Sequence, residues 1–172
     1  MSNRTLILLR HAKSDWRAGA ADDHERPLNA RGQRAAALLG VYLSQQGLAP
    51  DLVVTSSAVR ARETTELVLR HGGFDVRPEV ERRLYMAGPE GILGVVREQD
   101  ADRRCLLVVG HNPGMQALVA SLAEGADAAV RKAAQGELVT AAVAVGALQG
   151  PWAEASPATV TLLEVTAPKD LT

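Results

Sequence analysis

Cysteine is almost missing from this chain of 172 residues. Cys105 stands alone, so no intramolecular disulfide can form and no thiolate cluster can hold a metal. Aromatic residues make up only 3%, which leaves the core to be built mainly from Leu, Val and Ala. No block of like charges stands out and the formal net charge is -1, so overall electrostatics gives no support to a nucleic-acid or anionic-membrane partner. Any anion site must therefore be local. Long apolar runs are missing too: Thr5 to Leu9 is too short for a membrane span or a signal peptide, and a cytoplasmic protein is expected. The glycines lack the lysine and hydroxyl residue that complete a triphosphate-binding loop, and His24 and His71 lack zinc-ligand spacing. Neither a metal nor a cofactor is expected.

What is present fits a soluble globular protein, with 47% hydrophobic and 23% charged residues and a length that suits one domain over residues 1–172. The run Thr5-Leu6-Ile7-Leu8-Leu9 reads as a buried strand that ends in Arg10-His11. A loop from Lys13 to Leu28 follows, and Asn29 is placed to cap a helix from Ala30 that Gly47 ends. Leu52 to Thr55 reads as a second strand, and Ser56 or Ser57 as the cap of a helix from Ala58 to Arg70 stopped by Gly72-Gly73. A short strand is expected between Asp75 and Leu84, and a helix from Pro89 to Glu98. Cys105 to Val109 is a third clear strand, Met115 to Ala123 a helix, and Leu138 to Leu148 with Thr159 to Val165 a final antiparallel pair. This alternation predicts an α/β protein in three layers, with a largely parallel central sheet and helices on both faces.

In such a sheet, functional groups collect beyond the C-terminal ends of the parallel strands. Arg10 and His11 end the first strand, Arg60 lies one turn into the helix after the second, and His111 follows the third. Each has an ordinary structural reading: a surface pair, a solvated helix face, a loop residue held by backbone bonds. Their common placement raises a shared site above those readings. A neutral imidazole can attack phosphorus without a separate base, and His11 emerges directly from a strand. Arg10 and Arg60 offer permanent charge and planar donor forks to phosphoryl oxygens, each contributing about 4 kcal/mol at ~4 Å with an effective dielectric of ~20 before desolvation. His111 is suited to donate to a nonbridging oxygen. Arg26, in the loop after the first strand, is a further candidate for phosphate or substrate contact.

Leu9-Arg10-His11-Ala12-Lys13-Ser14 resembles the Arg-His-Gly signature of the histidine phosphatase superfamily, with Ala12 in place of the usual glycine. Ser56-Ser57-Ala58-Val59-Arg60-Ala61-Arg62-Glu63-Thr64 is similar to that family's second arginine motif, and Val109-Gly110-His111-Asn112 to its second histidine motif. The short length and Arg26-Pro27-Leu28-Asn29-Ala30-Arg31-Gly32 most resemble its small SixA-type phosphohistidine phosphatase branch. The resemblance implies a phosphoglycerate mutase-like fold, His11 as a nucleophile that becomes phosphorylated, and Arg10, Arg60 and His111 completing a metal-free pocket. It carries Arg26 over as a substrate contact.

One departure bears on the substrate. Larger mutases and many phosphomonoesterases of the superfamily place a glutamate shortly after a mid-chain leucine, where it protonates an alkoxide leaving group. Here Leu84 is followed by Tyr85-Met86-Ala87. A phosphohistidine ring already protonated on its other nitrogen leaves as neutral imidazole and needs no such acid. The expected substrate is therefore a phosphohistidine-bearing protein. The competing readings are a small-molecule phosphomonoesterase with Glu81 or Glu90 as acid, and a noncatalytic phosphate-binding module.

Overall fold

The apolar run near the N-terminus becomes β1 (Asn3–Arg10), an inner strand of a six-stranded sheet. The computed structural model describes residues 3–171. β1 pairs in parallel with β4 (Cys105–Gly110), which pairs in parallel with β2 (Leu52–Ser56), and β2 with the short β3 (Glu79–Glu81). On its other side β1 meets β5 (Val143–Gln149) antiparallel, and β5 meets β6 (Val160–Thr166) the same way. The order is β3-β2-β4-β1-β5-β6. The parallel part and the C-terminal antiparallel pair are thus those expected.

Alternation along β1 builds the layers. Leu6 and Leu8 enter one apolar cluster, Ile7 and Leu9 the other, and all four are buried, as a strand covered on both faces requires. One face is covered by α1 (Ala30–Gln45) and α2 (Val59–Gly72) through Leu39, Leu43, Ala61 and Val68. The other is covered by α3 (Pro89–Arg97), α4 (Gly114–Leu122) and α5 (Ala128–Gln135) through residues such as Ile92, Leu118 and Ala134. Asn29 caps α1, its side chain accepting from the Gly32 amide, and Gly73 ends α2 in the left-handed conformation. Cys105 is half-buried, and burial pushes its thiol up to about 12, so it stays protonated at the edge of the core.

Two local expectations are corrected, and one element is new. Neither Ser56 nor Ser57 is the N-cap of α2: Ala58 holds that position without a side-chain cap, because Ser56 Oγ meets His111 and Ser57 Oγ meets His24. The strand expected from Leu138 begins only at Val143. The Arg10 and Asn112 side chains capture the Leu138 carbonyl, and Ala141 turns with φ 60°, so this stretch lines a cleft instead of joining the sheet. α5 was not anticipated, although Asp127 caps it and Gly136 follows it, both legible signals.

α1 and α2 approach closely at Gly40, where an added Cβ would lie 2.4 Å from the Val68 carbonyl oxygen. Gly40→Ala is expected to lower stability by about 1–3 kcal/mol through overpacking. Gly94→Ala in α3 meets nothing within 4 Å and is expected to raise it by about 0.5–1 kcal/mol through helix propensity. Denaturant midpoints check both, and equal shifts would contradict the close approach.

Candidate active site

The register of β1 and β4 decides which groups meet. Arg10 lies opposite Gly110, and the His11 amide donates to the Gly110 carbonyl at 3.0 Å. His11 and His111 therefore leave the sheet side by side, with ring centroids 5.0 Å apart. Beside β4, β2 ends in Ser56, whose Oγ lies 2.7 Å from His111 Nε2. The chain then turns into α2 and delivers Arg60 in its first turn, where Arg60 Nε–H donates to His11 Nε2 at 3.3 Å.

These contacts fix the protonation of His11. Its Nδ1 lies 2.7 Å from the Ala12 carbonyl oxygen, which has no proton to give, so Nδ1 carries the hydrogen. Nε2 keeps its lone pair, which the guanidinium faces. Thr64 Oγ1 accepts from the Ala12 amide at 2.9 Å and so holds the residue that orients the ring. Burial lowers His11 to about 3, with the neighbouring His111, Arg60 and Arg10 acting in the same direction. His111 is lowered to about 4, chiefly by burial and then by Arg60. His111 Nε2 is paired with Ser56 Oγ, and its Nδ1 is a buried atom without a partner among the described residues. A phosphoryl oxygen would supply that partner.

The loop after β1 adds a cation cluster. Arg26 bonds to Ser14 Oγ and donates to Asp23 Oδ1 at 2.7 Å, while its guanidinium lies 3.5 Å from the centroid of the Trp16 ring. Asp23 Oδ2 accepts from Arg60 at 3.0 Å and from the Tyr85 hydroxyl at 2.6 Å, and its backbone carbonyl accepts from Arg60 Nη1 at 2.7 Å. Hydrogen bonds from Arg26, Tyr85 and Arg60 hold the Asp23 carboxyl well below the usual carboxylate range, so it stays ionised. Three of the five guanidinium N–H bonds of Arg60 are engaged, which leaves two for an anion. Asp23, Ser56, Thr64 and Tyr85 escaped the sequence reading as parts of the site. An ionisable group three residues before Arg26 and a serine at a strand's end were the available signals.

Arg10, His11, Arg26, Arg60 and His111 all line one cleft of about 830 Å³. Arg10 donates to the Leu138 carbonyl at 2.9 Å, and burial lowers its pKa while Glu137 opposes that shift. Met86 lines the cleft at the position where the larger mutases of this fold are expected to carry an acid. Neither Glu81 nor Glu90 lines it: Glu81 pairs with Arg83 and Glu90 with Arg97. Glu137 and Asp170 are the carboxylates that do. Asp22, His24 and Glu25 present possible ligand atoms within 4.8 Å of one another, but both ring nitrogens of His24 are already bonded, to Glu25 and Ser57. No described helix is long and apolar enough to cross a membrane.

A buried neutral imidazole facing guanidinium groups at the ends of parallel strands defines a protein built for phosphoryl groups. Residues 6–85 match the profile of the histidine phosphatase superfamily (branch 1). An uncharacterised protein of Mycobacterium tuberculosis (strain H37Rv) is 38% identical over 163 residues, spanning 94% of this chain and 100% of its own. The SixA protein of Nakamurella multipartitia, a provisionally assigned phosphohistidine phosphatase, superposes with a TM-score of 0.84 at 31% identity over 98% of each chain. The SixA counterpart from Agrobacterium tumefaciens gives 0.81 at 26% identity, over 98% of this chain and 100% of its own. The chain belongs to the histidine phosphatase superfamily, in its small SixA-type branch, and its fold is phosphoglycerate mutase-like. Its activity is that of a phosphatase.

Both site histidines are neutral when folded, whereas imidazoles of the unfolded chain protonate near pH 6.5. The unfolded state therefore binds more protons below that pH, and stability falls as pH drops from ~6.5 toward about 4. Denaturant midpoints between pH 7 and 4.5 are expected to fall less steeply in His11→Gln and His111→Gln than in the parent. An unchanged slope in both variants would contradict the buried neutral pair.

Proposed function

We propose that this chain is a metal-independent phosphohistidine phosphatase that works in two steps through His11, acting in the cytoplasm on a phosphohistidine carried by a protein. In the first step the His11 Nε2 lone pair forms a bond to phosphorus while the substrate's P–N bond breaks. The bonding pair returns to the substrate imidazole, which is protonated on its other nitrogen and departs neutral. Arg10 and Arg60 hold the phosphoryl oxygens, Arg26 supports them from the loop, and His111 Nδ1–H donates to a third position. In the second step water attacks phosphorus, its proton passes to the phosphate formed, and the P–N bond to His11 returns its pair to Nε2.

The observation that carries the phosphoramidate reading is Met86. It lines the cleft, two-thirds exposed, in the stretch after Leu84 where the resemblance to the larger mutases would put the acid. Asp23, the carboxylate bonded to Arg60, is held ionised and has no proton to give. Imidazole does not need one. The SixA-type relatives support the same reading.

A second reading, a small-molecule phosphomonoesterase, draws on Glu137, a carboxylate that lines the cleft and faces Arg10. Rates on a phosphohistidine protein and on a panel of phosphate esters separate the two. The expected result is a clear preference for the P–N donor, with turnover and phosphoenzyme both abolished in His11→Ala. Preference for a sugar phosphate, with a loss of roughly a hundredfold in Glu137→Gln confined to esters, would establish the ester reading instead.

A further inference from the structure

The cleft extends well past the three phosphate-facing arginines, and its charge is opposite to that of the rest of the molecule. Six of the nineteen Lys and Arg residues line it but only two of the twenty Asp and Glu residues; with Asp23, which pairs with Arg26 and Arg60 beneath it, the site carries +3 and the rest of the chain -4. Lys13 and Arg31 are spare cations of this set, and the fold places them together. Gly32 lets the Lys13 backbone pass where a Cβ would lie 2.0 Å from the Lys13 carbonyl oxygen, and that oxygen accepts from the Asn29 amide at the start of α1. Both side chains are exposed. Arg31 sits in the first turn of α1, which contains no acidic residue, so its charge opposes the helix dipole. Helix stability does not explain a cation there.

The apolar surface is arranged in the same way. Among the described residues six large hydrophobic side chains are exposed, and three of them, Trp16, Met86 and Val139, line this cleft. Trp16 is 78% exposed, while the other tryptophan, Trp152, is wholly buried. A phosphate pit inside a rim of cations and bare apolar groups is larger than a phosphorylated side chain needs.

We propose that this rim is a docking surface for an acidic stretch of polypeptide flanking the phosphohistidine, with Lys13 and Arg31 reading its charge and Trp16, Met86 and Val139 its apolar contacts. The inference rests on the phosphohistidine reading above. The net charge of the site favours an acidic partner and that of the rest of the chain opposes one, so charge steers it to His11.

The test uses three P–N donors: phosphoramidate, and two peptides of equal length whose single phosphohistidine is flanked by Glu or by Lys. The parent protein is expected to favour the Glu-flanked peptide by at least about tenfold in kcat/KM at low salt, with the preference shrinking as salt rises. Binding of that peptide is expected to shift Trp16 fluorescence. The double variant Lys13→Glu, Arg31→Glu is expected to erase or reverse the preference and to leave phosphoramidate hydrolysis within about twofold. Arg31→Glu puts an acid in the first turn of α1, where it favours the helix, so the variant retains its fold. Hydrolysis of both peptides without a charge preference, or an equal loss on phosphoramidate in the double variant, overturns the docking surface alone. Failure of the parent on all three donors removes the phosphohistidine reading and the docking surface with it.

Discussion

The parallel pairing of β1 with β4 sets Leu9 opposite Val109 and Arg10 opposite Gly110, so two segments remote in sequence release their histidines at one level. The pleat reverses side-chain direction at each residue, and a slip of one position would exchange the faces on which Leu6, Ile7, Leu8 and Leu9 are buried. The two apolar clusters therefore hold the register, and the register holds His11 beside His111. β2 lies on the far side of β4, and its last residue, Ser56, reaches His111 before the chain turns to bring Arg60 to His11. Packing far below the site thus sets distances within it.

Electrostatics does the rest. Burial first, and then the neighbouring guanidinium groups, keep the imidazoles neutral, which is the state a nucleophile requires. The same cations attract a phosphoryl group, whose negative charge would then favour protonation of a neighbouring imidazole. The two histidines answer that opposition differently. His11 has its only hydrogen committed to the Ala12 carbonyl and so presents a lone pair; His111 pairs with Ser56 through Nε2 and has an unpartnered Nδ1. Asp23 joins Arg26 and Arg60 through one carboxylate, so the loop after β1 is tied to α2 by the pocket's own charges.

Much of this was legible in the sequence, for physical reasons that can be named. β1, β2 and β4 are unbroken apolar runs because both faces are covered, and Asn29 and Gly73 mark helix ends by their own geometry. Arg10, His11, Arg60 and His111 were expected in one place because strand ends in a parallel sheet converge, and they line one cleft. The partners that hold them were not, since Asp23, Thr64 and Tyr85 act through contacts that only the folded loop creates. Residues 138–142 misled the strand reading because the Arg10 and Asn112 side chains both bond to the Leu138 carbonyl and Ala141 turns the chain before Val143.

The central claim is that His11 receives the phosphoryl group on the nitrogen that faces Arg60. The direct measurement is 31P and 15N NMR of the trapped phosphoenzyme, made from 15N-histidine-labelled protein and denatured in alkali. The account predicts one phosphohistidine, at His11, with phosphorus bonded to Nε2. Phosphorus on Nδ1, on His111, or on no residue while turnover proceeds would contradict it.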